Sequence, residues 1–416
     1  MAGAGACLLP APKPKADVGS IFRDLGNAFL ERQRLHPDQQ RAFRRIAECG
    51  TAAMGGSAWH CGACGHWVGV YHSCRDRHCP RCQASKRAAW VEDRVAEVLE
   101  VPYFHVIFTL PHVLHPLIQV NPRQTLGLLF RCASKTLMTF AADPQWLGAE
   151  PGILTVLHTW GRKLNYHVHV HCLITGGGLS ADQRRWVSPP KPGFLFPQAA
   201  LAKVFRGKYL EGLDELRLEG LAQPAGLALS SDQDWTCYKR KVAGTRWVAH
   251  VQFLSGGPQR VVKYLARYIN RVGIANQRIL SYRNGRVRFC YQDHKQDGRT
   301  KVLELDAASF AHRYLSHILP RGFPRIRYSG FLASCKKKKC LSIGKQLIAG
   351  NELGPDQLAA LSADLETCAA AETSDPYHLD QEVRKCPNCR RKELRYHHKL
   401  TKFDRKRARS LLWDSS

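Results

Sequence analysis

The stretch His167-Val168-His169-Val170-His171-Cys172-Leu173-Ile174-Thr175-Gly176-Gly177-Gly178 alternates imidazoles with valines before it becomes fully apolar. On a β-strand successive side chains point to opposite faces, so this alternation puts three imidazoles on one side and the valines on the other. Packing alone does not explain three polar rings in strict alternation on an apolar strand, because each would need a buried partner. Two imidazoles on adjacent same-face positions can instead hold one divalent ion. The three glycines suit a tight exit, where the backbone must turn or approach a ligand closely.

Outward from this strand, the surrounding sequence reads as a mixed α+β chain. Tyr103–Leu110, stopped by Pro111, and Ile153–Thr159 read as further strands, as does Trp247–Phe253. Ile279–Tyr291 reads as a hairpin turning at Asn284-Gly285. Helical periodicity marks Val18, Ile21, Phe22, Leu25 and Phe29, then a run after Pro37, a run around Trp90 to Val98, one around Leu126 to Phe130 and one near 200–220. Gln259–Asn270 reads as another helix, and residues 188–197 as a Pro-rich loop. A chain of 416 residues exceeds what one growing core accommodates. The expected division is a flexible 1–17, a helical and cysteine-rich domain over 18–100, an α+β domain over 101–330 that contains the histidine strand, and a basic region over 331–416.

Charge restricts the partner. Lys and Arg number 62 against 34 Asp and Glu, a formal net charge of +28. Such an excess points to a polyanion, since each phosphate neutralised releases condensed counterions. No run reaches the ~18 uninterrupted apolar residues of a membrane span, and the N-terminal stretch lacks a basic leader. The 16 cysteines are therefore expected as thiolates in a reducing cytoplasm rather than as a disulfide framework.

Cys61-Gly-Ala-Cys64, fourteen residues, then Cys79-Pro-Arg-Cys82 has the spacing of a structural four-thiolate zinc site. Cys49, Cys74, His78, His66 and His60 lie close enough to substitute as ligands or to make a second site. A looser echo, Cys386-Pro-Asn-Cys389 with Cys335 and Cys340, is a candidate for another zinc.

Tyr264-Leu-Ala-Arg-Tyr268 places two phenols one helical turn apart. In isolation, core packing is the better explanation of the stripe Val261, Tyr264, Leu265, Tyr268 and Val272. Lys263, Arg267 and Arg271 beside the tyrosines suit a phosphate backbone. Taken together, the histidines and tyrosines suggest a phenol, pKa about 10, attacking a phosphate polarised by histidine-bound Mg2+ or Mn2+. The phosphotyrosine ester would keep the bond energy for rejoining. Two imidazoles hold Mg2+ poorly, so a third ligand is expected.

In this order the motifs resemble the rolling-circle transposases of the insertion sequence 91 family, within the HUH endonucleases. The resemblance runs from about Ile21 to Cys389, through Cys74-Arg-Asp-Arg-His-Cys-Pro-Arg-Cys-Gln83, Phe104-His-Val-Ile-Phe-Thr-Leu-Pro111, His158-Thr-Trp-Gly161, His169-Val-His171, Tyr264–Tyr268 and Ile326-Arg-Tyr-Ser-Gly-Phe331. It implies an N-terminal zinc ribbon, an HUH nuclease domain on a central antiparallel sheet flanked by helices, and a basic C-terminal region. It also implies His169 and His171 as metal ligands, Tyr264 and Tyr268 as paired nucleophiles, and single-stranded ends of a mobile element and target DNA as partners. His167-Val-His169 fits the same pattern, although the glycines favour 169 and 171. Val168 stands where many relatives carry proline. His105 and His158, on neighbouring strands, are candidates for the third ligand. No Walker motif is visible, so unwinding is expected from a host helicase. Two other readings remain: a replication-initiator or relaxase-like nicking enzyme, and a non-catalytic zinc-ribbon DNA-binding protein.

Overall fold

The computed structural model describes residues 16–83, 97–254, 261, 272–293, 298–350, 386–391, 394–400 and 412–413. Tyr264, Tyr268, Lys263, Arg267 and Arg271 lie outside the described residues, as do nearly all of the 1–17 segment and the expected helix from Trp90.

The chain opens with helix α1 (Val18–Arg32), whose Asp17 cap accepts from the Ser20 amide in a reciprocal capping box. Helix α2 (Pro37–Glu48) begins on a proline, which costs no hydrogen bond at that position. Strands β1 (Gly56–Cys61) and β2 (Trp67–Tyr71) form a short hairpin. Next come β3 (Tyr103–Thr109), α3 (His115–Val120), α4 (Pro122–Ala142), β4 (Glu150–Trp160), β5 (Tyr166–Leu179) and β6 (Trp186–Val187). Then follow α5 (Gln198–Leu218), α6 (Asp232–Ala243) and β7 (Val248–Leu254). The second half adds β8 (Ile279–Arg283), β9 (Arg286–Asp293), β10 (Arg299–Asp306), α7 (Ala307–Leu315), β11 (Ile326–Gly330), α8 (Lys337–Ile348), β12 (Leu394–Leu400) and β13 (Leu412–Trp413).

The central sheet has the order β11-β4-β5-β3-β7, with β6 also on β5, and every pairing in it is antiparallel. One face carries Phe104, Phe108, Val168, Val170 and Ile174, packed under Leu126 and Leu129 of α4 and Phe205 and Tyr209 of α5. The valines that alternate with the histidines are thus fully buried beneath two helices, each contributing about 1.5–3 kcal/mol of apolar burial. The fold is α+β, as the sequence suggested.

The glycine exit of β5 is tight because of neighbouring backbone, not a ligand. A Cβ on Gly178 would lie 2.5 Å from the Glu150 carbonyl oxygen, and one on Gly176 2.8 Å from that of Pro102. Gly177 adds a positive φ of 144°, which few other residues adopt.

β8, β9 and β10 form a separate meander whose Asn284-Gly285 turn has φ of 49° and 69°, both in the left-handed region that a two-residue hairpin loop requires. Ile279, Val287 and Phe289 of this meander share one core with Ile21, Phe22, Phe43 and Ile46 of the N-terminal helices and Phe310 and Tyr314 of α7. The segments 18–100 and 101–330 therefore interlock, because neither α1–α2 nor the meander can bury its apolar face alone. Among the described residues no helix is long and apolar enough to cross a membrane.

Candidate active site and metal centres

The face of the central sheet opposite α4 and α5 carries the imidazoles. His169 and His171 share that face of β5, and His158 of β4 pairs directly with His169 across the ladder. One ring nitrogen from each of His158, His169 and His171 falls within 4.8 Å of the others. Modest ring rotations bring three such nitrogens to the ~2.1 Å that a divalent first-row ion takes. His158 is 3% and His171 8% exposed, so the cluster sits in protein rather than in bulk water.

Hydrogen bonds orient two of the rings. His169 Nδ1 lies 3.0 Å from the His167 carbonyl, and a carbonyl only accepts, so Nδ1 carries the proton and Nε2 offers a lone pair. His105 of β3, fully within the sheet, places Nε2 2.8 Å from His171 Nδ1, with the rings stacked at 5.0 Å. Burial pushes His169 down to about 3, with His167 and His105 adding in the same direction, and pushes His105 down to about 4 with His250 adding to it. Both rings are neutral above pH 5, the form that ligates or relays a hydrogen bond.

The sequence left the register between 167/169 and 169/171 open. The structure gathers 169 and 171 with 158, while His167 stands outside the cluster with its ring 5.0 Å from that of His169. Of the two candidates for a third ligand, His158 joins the cluster and His105 instead hydrogen-bonds one of its members.

The cysteines divide differently from the expected pairing. Cys49, Cys74, Cys79 and Cys82 form one set: Cys49 and Cys82 sulfurs are 3.7 Å apart, Cys74 and Cys82 3.6 Å, and Cys49 and Cys79 3.6 Å. Cys61 and Cys64 do not meet Cys79 and Cys82; they lie against Cys386 and Cys389. The spacing rule failed because β1 and β2 carry the first knuckle away from the second, while the end of α2 and the bend at Cys74 bring Cys49 and Cys74 in. Cys335 and Cys340 do not join Cys386 and Cys389 either. Cys335 is exposed, and Cys340 is buried among Phe331, Leu341 and Ile343 at the start of α8. The neighbouring Lys336 and Lys337 pair with Glu150 and Glu97.

His78 is no ligand. Its Nδ1 faces Asp76 at 3.1 Å and its Nε2 accepts from the Leu319 amide. His60 lies against Trp67.

Residues 21–110 match a family model described as "Transposase zinc-binding domain", and residues 152–339 one described as "Putative transposase". The chain is 39% identical over 383 residues to the "Putative transposase y4qJ" of Sinorhizobium fredii, covering 91% of this chain and 94% of that protein. It is 32% identical over 310 residues to the "Transposase for insertion sequence element IS801" of Pseudomonas savastanoi pv. phaseolicola, covering 74% and 73%. This chain belongs to the insertion sequence 91 family of transposases. No solved structure matches it.

The transposase's zinc-binding domain contains all four sulfurs of the inner set, and their spacing fits a structural zinc. Sulfurs at ~2.3 Å from a tetrahedral ion lie about 3.8 Å apart, close to the distances found and far beyond a disulfide. Four buried sulfurs also cannot all ionise unaided: the adjacent Cys49 sulfur raises the Cys79 thiol and lowers that of Cys82. A cation resolves that conflict by stabilising every thiolate at once. The inner set is wired to the rest of the transposase by Arg77, which donates to the carbonyls of Leu319, Pro320 and Phe323, and by the Tyr314 hydroxyl, which donates to the His78 carbonyl. Sequence reading underweighted Cys49 and Cys74, although a count signals them. Six cysteines between 49 and 82, with Cys386 and Cys389, make two complete sets of four.

Proposed function

We propose that this transposase nicks and rejoins single-stranded DNA through phosphotyrosine intermediates, in rolling-circle movement of its element. The observation that carries the reading is the convergence of His158, His169 and His171 on one sheet face. Supporting it, Val261, three residues before Tyr264 in sequence, packs on that same face beside Leu173 and Leu254.

A divalent ion held by the three imidazoles would neutralise charge developing on the oxygens of the scissile phosphate. An all-imidazole donor set favours Mn2+ over Mg2+, which prefers oxygen. Either Tyr264 or Tyr268 loses its phenolic proton and attacks phosphorus in line. The phosphorus–oxygen bond to the leaving sugar breaks, that oxygen takes up a proton, and the phosphate remains esterified to the tyrosine. A later DNA hydroxyl reverses the exchange without ATP, and the second tyrosine holds a second strand end. Lys263, Arg267 and Arg271 would bind the backbone around the nick. The substrates are the single-stranded ends of the element and its target, with a host helicase opening the duplex.

The test is a single-stranded oligonucleotide carrying the element's end, incubated with Mn2+ and analysed by mass spectrometry for a tyrosine-linked peptide. Wild-type protein is expected to yield the adduct at Tyr264 or Tyr268, and Tyr264→Phe with Tyr268→Phe to yield none. An adduct in the double variant would overturn the assignment.

His105 is assigned as a positioning residue. Its Nε2 lies 2.8 Å from His171 Nδ1, and in the tautomer where Nδ1–H donates to it, His171 Nε2 is left for the ion. His105→Phe is expected to weaken Mn2+ binding by roughly 10–100-fold, while His105→Gln, which retains an acceptor, recovers part of it. Calorimetric titration of Mn2+ into both folded variants checks this; equal affinities in His105→Phe and wild type would sink it.

A further inference from the structure

The second cysteine set joins parts of the chain that are distant in sequence. We propose that Cys61, Cys64, Cys386 and Cys389 form a second four-thiolate zinc site, which fastens the C-terminal segment to the N-terminal zinc-binding domain. The family's zinc-binding match ends at residue 110, so half of this ligand set lies outside it.

Three observations carry the assignment. The first is distance: Cys61 and Cys389 sulfurs are 3.7 Å apart, and Cys64 and Cys386 are 3.7 Å apart, across 328 and 322 residues. Two such contacts match the edges of a tetrahedron of thiolates around zinc. A disulfide would bring each pair to ~2.05 Å.

The second is that the two knuckles repeat one backbone design. The Gly65 amide donates to the Cys61 carbonyl at 2.9 Å, and the Arg390 amide to the Cys386 carbonyl at 2.8 Å. The Cys61 amide donates to the His66 carbonyl, and the Cys386 amide to the Arg391 carbonyl, at 2.9 and 2.8 Å. Gly65 and Arg390, each following the second cysteine of its knuckle, have φ of 70° and 60°. For arginine that left-handed conformation is unfavourable, and it persists where surrounding structure imposes it. The Cys386–Cys389 knuckle thus takes the shape of the Cys61–Cys64 knuckle at the expense of its own preference.

The third is the size of the core. β12 pairs with β1 from Gly56 opposite Leu400 to Cys61 opposite Leu394, and β13 adds to β2. Among the described side chains, those this sheet buries around the knuckles are Val68, Val70 and Leu394, beside Cys61 and Cys386, with Trp59 partly buried against them. A core this small does not offset the entropy of ordering four strands. Small β-sheets of this kind stand only with a staple, and structural zinc is such a staple. Four thiolates leave no open coordination position, so the site is structural rather than catalytic.

Metal analysis of the full-length protein purified with zinc, with His169→Ala in every sample so that the histidine cluster takes none, is expected to give two zinc ions per chain. Cys386→Ser with Cys389→Ser should give one, Cys61→Ser with Cys64→Ser should give one, and the four substitutions together should still give one. That non-additivity identifies a shared site. One zinc in the protein with all its cysteines, two retained in either double variant, or none in the quadruple variant would overturn the proposal, as would iron in place of zinc. A second measurement needs no substitution. Under maleimide labelling, exposed Cys237 and Cys335 should react at once, while Cys64, also exposed, should stay unlabelled until a chelator is added. At that point Cys61, Cys64, Cys386 and Cys389 should become reactive together. Immediate labelling of Cys64 in the zinc-loaded protein would overturn the site even if every variant failed to fold.

Discussion

His169→Ala is expected to lower single-strand cleavage about 1,000-fold or more, corresponding to loss of several kcal/mol of charge stabilisation at the phosphate. The position is central: His169 pairs across the ladder with His158, lies two residues from His171, and has its Nδ1 committed to the His167 carbonyl. Its Nε2 therefore has one remaining use toward a ligand. The measurement is oligonucleotide cleavage on a gel across a Mn2+ titration, with zinc content and circular dichroism confirming that the variant is folded. Cleavage within tenfold of wild type at saturating Mn2+ would mean that the histidine face is not the catalytic site. The control His167→Ala, outside the cluster, should retain most activity. The same burial sets a pH dependence of stability. His169 and His105 are held near 3 and 4 from an ordinary 6.5, so the native state binds fewer protons than the unfolded chain between those values. Stability from these rings is complete above about pH 6.5 and is lost as pH falls toward 4. Zinc-loaded protein without added Mn2+, scanned by thermal denaturation from pH 8 to 4, should show that decline, and His105→Gln should flatten it.

Cys79→Ser combined with Cys82→Ser is expected to abolish folding of the N-terminal half rather than weaken it. Apparent binding free energies of structural zinc reach about 10 kcal/mol or more, comparable to the whole stability of a domain. The inner set is itself part of the core that contains Phe22, Phe43, Phe289, Phe310 and Tyr314. Losing the metal leaves two sulfurs and two serine hydroxyls in that core with no shared counter-charge, and it releases the loop whose Arg77 holds the 319–323 carbonyls. Soluble yield should collapse, and any soluble fraction should lack a cooperative thermal transition. A variant that unfolds cooperatively within about 5 °C of wild type, a shift of only ~1–2 kcal/mol, would show that the inner zinc is dispensable. Cys386→Ser with Cys389→Ser should leave this core folded, which separates the two metal sites.

Much of the fold was legible wherever local periodicity and burial agree. The alternation at 167–171 marked a strand with one apolar face, and Val168 and Val170 lie buried beneath α4 and α5 while the imidazoles face away. Asn284-Gly285 marked its hairpin because only residues tolerant of positive φ make that turn. The pairing of the cysteines was not legible. Two CxxC knuckles at a familiar separation look like partners, yet the nearer one closes with a knuckle 322 residues away.

By itself the sequence determined the chemistry available: imidazoles on one side of a strand, thiols in pairs, phenols four residues apart and an excess of positive charge. Side-chain type and strand or helix period are local properties, and they survive being read along the chain. Only the tertiary structure decided which of these groups meet. Strand pairing put His158 beside His169 and gave His105 to His171 instead of the ion, because register across a ladder is set by non-local packing. The β1–β12 ladder likewise brought Cys386 and Cys389 to Cys61 and Cys64, a contact that no spacing along the chain records.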